Sequence, residues 1–350
     1  MRELEFIDMK ALFFEEHGGP EVLRYGDVPD PQPGTGEVLL RVGACALNHL
    51  DIWVRRGWPG LRLEMPHWGG SDVAGTIAAL GEGTTGWEVG RRVVADPGIS
   101  SIQDEYTRRG EDSVSPGYTI LGEHRRGGLA EYVIVPASNL IEIPSGLNFP
   151  EAAAPLLVTL TAWRMLIHRA KLQAGESVLI VGAGGGVNTM AIQIARLAGC
   201  RVVVAAGSRE KGEKALAIGA DTVIDRSRAN WLKEVQRLTR GRGVDVVVDN
   251  VGAATLPSSM KAVSPGGRIV IVGNTSGPLV EMDLRRVFAK QLSLVGSTMG
   301  SHQDFHKVVE LLWEGKLKPV LDQVMPLGEG AKAFDRMERG EQFGKIVLIP

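Results

Sequence analysis

The segment VLIVGAGGGVNTMAIQIARLAG, residues 178–199, holds the residue types whose spacing most directly implies chemistry. An apolar run enters a cluster of glycines and then a stretch with helical apolar spacing. Gly182, Gly184, Gly185 and Gly186, with Val187 opening the helix, let backbone approach a pyrophosphate. The helix N-terminus adds free N–H groups and the positive end of its dipole. An ordinary tight turn is the alternative, and the strand–turn–helix context favours the phosphate site. The place of a third packing glycine is held by Asn188, which predicts a wider helix–strand crossing and a weakened motif.

The next strand, residues 201–206, ends in Ala205-Ala206 and is followed by Gly207-Ser208-Arg209-Glu210-Lys211. A site for NAD wants a carboxylate at that strand end to bind the ribose hydroxyls. None precedes Glu210. Ser208, Arg209 and Lys211 instead suit a 2′-phosphate, which Arg can bind bidentately. The expected cofactor is NADPH, with NADH binding more weakly; a solvated, charged helix start is the alternative. Gly252, Gly273, Asn274, Gly296 and Ser297 follow later strands. They fall at the carboxyl edge where ligands bind in doubly wound sheets, and are expected to line the nicotinamide half of the cofactor.

The elements that position these residues divide into two kinds. Residues 38–42, 73–80, 92–95 and 130–135 read as short strands punctuated by Gly and Pro, a pattern of a compact β-barrel-like domain. From residue 151 the character changes. A helix is expected over 151–170, then strands at 178–182, 201–206, 221–225, 244–252, 268–273 and 292–298. Helices intervene at 187–198, 211–218 and 231–238. Continuous apolar strands alternating with helices predict a parallel, doubly wound sheet, so the fold class is α/β. The tail from Gly300 ends in another strand, KIVLIP, and is expected to return to the first domain.

The 350 residues favour two domains. A net charge of -2 gives no basic footprint for nucleic acid. No run approaches a membrane span, and MRELEFIDMK has no apolar signal-peptide core, so a cytoplasmic enzyme is expected. Cys45 and Cys200 are too few for a disulfide framework or a structural zinc set.

Seven segments read together carry a resemblance: ACALNHLDIWVRRG (44–57), GGSDVAGTI (69–77), GGLAEYVIVP (127–136), LTAWRML (160–166), GAGGGVNTMAIQIA (182–195), LAIGADTVID (216–225) and FGKIVLIP (343–350). The chain resembles the medium-chain dehydrogenase/reductase superfamily, in its quinone and enone reductase branch. The resemblance implies a GroES-like β-barrel catalytic domain over 1–153, with 1–8 as an N-terminal extension. It implies a Rossmann-type dinucleotide domain over 154–298 and a return to the catalytic domain over 299–350, with the active-site cleft between domains. It also implies a homodimer contact at residues 292–295.

Zinc alcohol dehydrogenases of that superfamily place a Cys where this chain has Asn48, and a Gly-His-Glu segment where it reads Gly70-Ser71-Asp72. Their third ligand is commonly a Cys in the helix before the dinucleotide domain, and here 155–161 contains none. Asn48 and Ser71 are poor zinc ligands. The proton-relay positions hold Leu50 and Trp53, neither of which passes a proton. The four structural-zinc positions fall on Ser101, Asp104, Thr107 and Ser115, so that loop is expected to rely on Asp104, Arg108, Arg109 and Glu111.

Asn48 could donate to a substrate carbonyl oxygen or simply cap a buried turn. By resemblance His49 contacts the pyrophosphate, with an exposed strand-end His as the alternative. Trp53 walls the substrate pocket or packs the core. Asp51, Glu123 and His124 read as structural; His302 and His306, four apart on an expected helix, could chelate metal, but exposed helix faces often carry such pairs by chance, and no metal ligands are expected. The implied activity is zinc-independent hydride transfer from NADPH to a quinone or α,β-unsaturated carbonyl. The alternatives are an alcohol dehydrogenase and a non-catalytic NADPH-binding protein.

Overall fold

The computed structural model describes residues 8–350. Of the expected N-terminal extension, residues 1–7 lie outside the described residues, and Asp8 already belongs to β1 (Asp8–Phe13). This strand pairs antiparallel with β2 (Arg24–Pro29). Then follow β3 (Glu37–Ala46), α1 (His49–Arg56), β4 (Asp72–Leu80), β5 (Arg92–Ala95), β6 (Gly98–Ser100), β7 (Tyr118–Ile120), β8 (Tyr132–Pro136) and β9 (Leu140–Glu142). In β3 the alternation is direct: Val38, Leu40 and Val42 are buried while Arg41 faces out. From Ala44 to Ala46 every residue is buried, because both faces of the strand are covered there.

The helix expected over 151–170 is three pieces. These are α2 (Phe149–Ala153), α3 (Leu156–Trp163) and a π-helical segment Arg164–Arg169. Pro155 stands at the break between α2 and α3, where it has no N–H to continue the ladder.

Next come β10 (Ser177–Val181), α4 (Gly186–Leu197), β11 (Arg201–Ala206), α5 (Arg209–Ala217), β12 (Thr222–Asp225), α6 (Trp231–Leu238), β13 (Val244–Asp249), α7 (Leu256–Ala262), β14 (Val263–Ile271), α8 (Leu284–Ala289) and β15 (Ser293–Gly296). The chain closes with α9 (His302–Trp313), β16 (Leu321–Pro326), α10 (Gly330–Glu338) and β17 (Lys345–Ile349). The strand expected at 130–135 starts at Tyr132, and helix α5 starts at Arg209 rather than Lys211. Ser208 caps it, its Oγ accepting from Lys211 N at 3.3 Å.

Two compact units result. One comprises the chain through Leu157, with Ser301–Trp313 and Pro319–Pro350; the other comprises Val158–Gly300 with Glu314–Lys318. In the first, a seven-stranded sheet runs β16-β17-β3-β4-β5-β9, with β8 also on β3. Its core gathers Met9, Leu40, Leu47, Ile77, Leu121 and Leu129. In the second, a six-stranded sheet runs β12-β11-β10-β13-β14-β15 and is parallel throughout. Apolar residues such as Leu179, Val203, Val247 and Ile269 fill its core. The strand order reverses between β10 and β13, which makes the carboxyl end of β10 the switch point where such sheets bind ligands. Among the described residues no helix is long and apolar enough to cross a membrane.

Candidate active site and cofactor cradle

The glycine turn at 182–186 sits at that switch point, between β10 and α4. Gly182 has φ +94°, a conformation side chains rarely adopt. Gly185 precedes the helix, and a Cβ built on it would meet nothing within 4 Å. The open backbone fits a pyrophosphate approaching the α4 N-terminus.

Asn188 is tied into the turn by its side-chain amide. Its Nδ2 donates to Val181 O at 3.1 Å and Gly182 O at 2.9 Å, and its Oδ1 accepts from Asn250 Nδ2 at 2.9 Å. Asn250 Oδ1 in turn accepts from Val272 N at 3.1 Å. An amide stitch thus joins the ends of β10, β13 and β14, where a glycine would supply only close packing.

The other predicted cradle residues lie on the same sheet edge. Gly252 N donates to Asp249 Oδ1 at 3.1 Å. Gly277 N donates to Asn274 O at 2.8 Å in the turn after Gly273. Ser297 N donates to Ile271 O at 3.0 Å, and Gly296 O accepts from Arg169 Nε at 2.9 Å. Ser297 Oγ is shielded from solvent and lacks a hydrogen-bond partner.

At the end of β11, Arg209 is exposed and its Nε pairs with Glu213 at 2.8 Å. A second guanidinium stands beside this turn: Arg226 lies 3.6 Å from where a Gly207 Cβ would be, and its Nε has no partner. Sequence reading missed Arg226 because its proximity comes from the β11–β12 pairing, which places Ala206 beside Asp225.

In the first unit, Asn48 precedes α1 and is buried. Asp51 receives Asn48 N at 2.7 Å on one oxygen and Gly70 N at 2.7 Å on the other, so its role is structural. Burial pushes its carboxyl up to about 6, against the opposing effect of these backbone donors. Gly70 has φ +97°, and a Cβ there would meet Cys45 Sγ at 2.6 Å.

The Asn48 side chain is fully engaged on one side. Its Nδ2 donates to Asp72 Oδ2 at 3.0 Å, and its Oδ1 accepts from Lys345 Nζ at 2.5 Å. Lys345 Nζ also lies 2.8 Å from Asp72 Oδ2, while Asp72 Oδ1 accepts from Leu157 N at 2.6 Å. Asp72 is 0% and Lys345 4% exposed. Lys345 was missed as a site residue, although one Lys inside the apolar run KIVLIP is itself a signal, since a buried Lys needs a partner.

These residues do not fit zinc. Three donors are needed, and a donor-only ammonium already neutralises the one carboxylate. Leu157, in the segment where zinc alcohol dehydrogenases commonly carry a third ligand Cys, contributes a backbone N–H instead. Ser71 Oγ is buried without a partner. Among the described residues no three His, Cys, Asp or Glu side chains group to hold a metal.

His49 opens α1, half-buried, with its ring 6.1 Å from that of Trp53 one turn on. Burial lowers the His49 pKa, and Arg56 adds to the effect. Glu123 and His124 pair loosely at 3.7 Å.

The lobe at 101–117 is organised around Asp104. Its Oδ1 accepts from Tyr106 N and Thr107 N, both at 2.9 Å, and its Oδ2 from Ser115 Oγ at 2.7 Å. Asp104 N donates to Thr107 Oγ1 at 3.0 Å, and Ser101 Oγ to Gly117 O at 2.8 Å. Hydrogen bonds therefore connect Asp104, Thr107 and Ser115. Of the expected arginines, Arg108 N donates to Asp104 O at 3.2 Å and Arg109 reaches Glu105 at 3.7 Å on the surface.

A doubly wound sheet with a phosphate cradle in one unit, and a buried polar cluster in the other, define a dinucleotide-dependent oxidoreductase class. Residues 34–145 match the alcohol dehydrogenase GroES-like domain, and residues 186–314 the zinc-binding dehydrogenase family. The chain is 31% identical to human quinone oxidoreductase, over 97% of this chain and 98% of that protein. It is 33% identical to the NAD-dependent alcohol dehydrogenase of Saccharolobus solfataricus, over 98% and 100%. A crystal structure of an NAD-dependent alcohol dehydrogenase superposes with TM-score 0.93 at 45% identity, covering 98% of this chain and 100% of that one. The chain belongs to the medium-chain dehydrogenase/reductase superfamily of oxidoreductases.

Proposed function

We propose that the protein is a zinc-independent, NADPH-dependent reductase of quinones or α,β-unsaturated carbonyls. The observation that carries this reading is the Asn48–Asp72–Lys345 cluster. A buried ammonium stands among the residues that a zinc site would need as ligands.

The nicotinamide, when bound, supplies the hydride. The chain's task is to bind it, exclude water and polarise the acceptor oxygen. The 182–186 turn holds the pyrophosphate, helped by His49. Ser208, Arg209 and Lys211 surround the 2′-phosphate, with Arg226 beside them. Gly252, Gly273, Asn274, Gly296 and Ser297 line the nicotinamide half.

Asn48 Nδ2 carries two hydrogens, and Asp72 takes one. The second is the donor to the acceptor oxygen as negative charge develops there. Lys345, by bonding Asn48 Oδ1, draws electron density from the amide and strengthens that donor. Trp53 walls the pocket, and solvent supplies the proton. Nothing in the cluster acidifies an alcohol, as a zinc ion would.

The test is NADPH oxidation with a quinone, an enone and a simple aldehyde, before and after exhaustive chelation. Chelator-insensitive turnover of the quinone or enone is expected, with poor NADP-linked oxidation of simple alcohols. Chelator-sensitive alcohol oxidation would promote the alcohol dehydrogenase reading, in line with the solved neighbour's name. NADPH binding without turnover of any acceptor would leave a non-catalytic binding protein.

A further inference from the structure

His302 and His306 occupy successive turns of α9. Their Nε2 atoms stand 3.2 Å apart and their ring centroids 4.7 Å, with the planes at 81°. Two imidazole nitrogens bound at about 2.05 Å to one tetrahedral ion lie about 3.3 Å apart; at the right angle of an octahedral ion they lie about 2.9 Å apart. The observed separation falls between these values.

The opposite side of His302 is built. Its Nδ1 bonds Asp96 Oδ2 at 2.7 Å, and Asp96 is 2% exposed. Asp96 Oδ1 accepts from Gly98 N at 2.9 Å, and Asn139 Nδ2 fixes the same segment through Asp96 O at 3.0 Å and Gly98 O at 2.7 Å. A carboxylate on Nδ1 fixes the tautomer that leaves Nε2 as a lone-pair donor, the outer-shell partner that metal-binding histidines use. The first turn of α9 is held by reciprocal bonds between Ser301 and Asp304, both 3.1 Å. The ligand-bearing helix start is therefore rigid.

We infer that His302 and His306 form a two-histidine site for a divalent transition-metal ion, oriented by the buried Asp96. It shares no residue with the Asn48 cluster and goes beyond the reductase reading. Among the described residues no third His, Cys, Asp or Glu completes a protein set, so water or an exogenous ligand fills the remaining positions. Imidazole donors select Ni²⁺, Cu²⁺, Zn²⁺ and Co²⁺ over Mg²⁺.

The experiment is calorimetric titration of tag-free, full-length protein with Ni²⁺, Zn²⁺ and Mg²⁺. Hydrogen bonding to Asp96 raises the His302 pKa, so protons compete and the titration is run at pH 8. One Ni²⁺ or Zn²⁺ per chain is expected, with no Mg²⁺. Metal should also raise the unfolding temperature, because it binds only the folded arrangement. His306→Ala should abolish both effects while leaving quinone reduction unchanged. Asp96→Asn should weaken binding roughly ten- to hundredfold. If Asp96→Asn fails to fold, the exposed His306→Ala variant still decides. Absence of Ni²⁺ binding up to millimolar metal, or equal binding by wild type and His306→Ala, overturns the inference. Failure of the reductase reading would leave it standing.

Discussion

Lys345 Nζ lies 2.8 Å from Asp72 Oδ2, both out of solvent, and so joins β17 to β4 across 273 positions of sequence. Desolvating two charges is costly, and removing one leaves the other without compensation. Lys345→Met should therefore destabilise the protein by about 3–5 kcal/mol. Lys345→Met with Asp72→Leu should recover part of that loss, since no charge is then stranded. Urea unfolding of the three proteins measures this. A single variant as stable as wild type would show that the pair contributes nothing.

Arg209 and Arg226 flank the turn after β11, one exposed and paired with Glu213, the other with its Nε unpartnered. If they hold the 2′-phosphate, Arg209→Ala and Arg226→Ala should each weaken NADPH by about 1–3 kcal/mol, as for lost charge-assisted hydrogen bonds. NADH affinity should barely change. Fluorescence titration with both cofactors provides the comparison, and equal losses for the two would remove the assignment.

The parallel sheet was legible because its strands are unbroken apolar runs, so β11 and α6 match their expected bounds at 201–206 and 231–238. The short strands β6, β7 and β9 carry three residues each, too few for a periodic signal, and only tertiary pairing defines them. At the site, local sequence revealed which ligands were missing but not what replaced them. The partner of Asn188, Asn250, stands 62 positions away. Lys345 became a site residue only through contacts nearly 300 positions away. Side-chain identity reports what a residue can do, and long-range pairing decides with whom.

His67 is buried, its Nε2 3.3 Å from Gly122 O and its ring against Phe14. Burial pushes its pKa down from 6.5 to about 4. The unfolded chain therefore binds a proton that the folded chain refuses. The stability it contributes is present above pH 6.5 and lost as pH falls toward 4. The full loss corresponds to about 3 kcal/mol. His67→Gln keeps a donor for Gly122 O and should flatten this part of the pH profile. Urea midpoints taken between pH 7 and pH 4 give the answer; parallel profiles for the two proteins would exclude His67 as the source.

The remaining prediction concerns assembly. Among the described residues, β15 is an edge of the six-stranded sheet. Leu294 on that strand is exposed, and Leu279, Leu284 and Phe288 before it are more so. An unpaired apolar edge invites uncontrolled pairing unless something covers it. Exposed large apolar side chains gathered in one stretch of sequence are what an interaction site would carry. A second copy of the chain, pairing edge to edge, would satisfy the free backbone groups of β15 and bury Leu294 and Phe288. The protein should sediment as a homodimer at micromolar concentration. Leu294→Lys with Phe288→Glu should shift it to monomer, because charges on both faces of the contact must then be desolvated. Light scattering that finds wild type already monomeric, or the double variant still dimeric, would place the interface elsewhere or remove it.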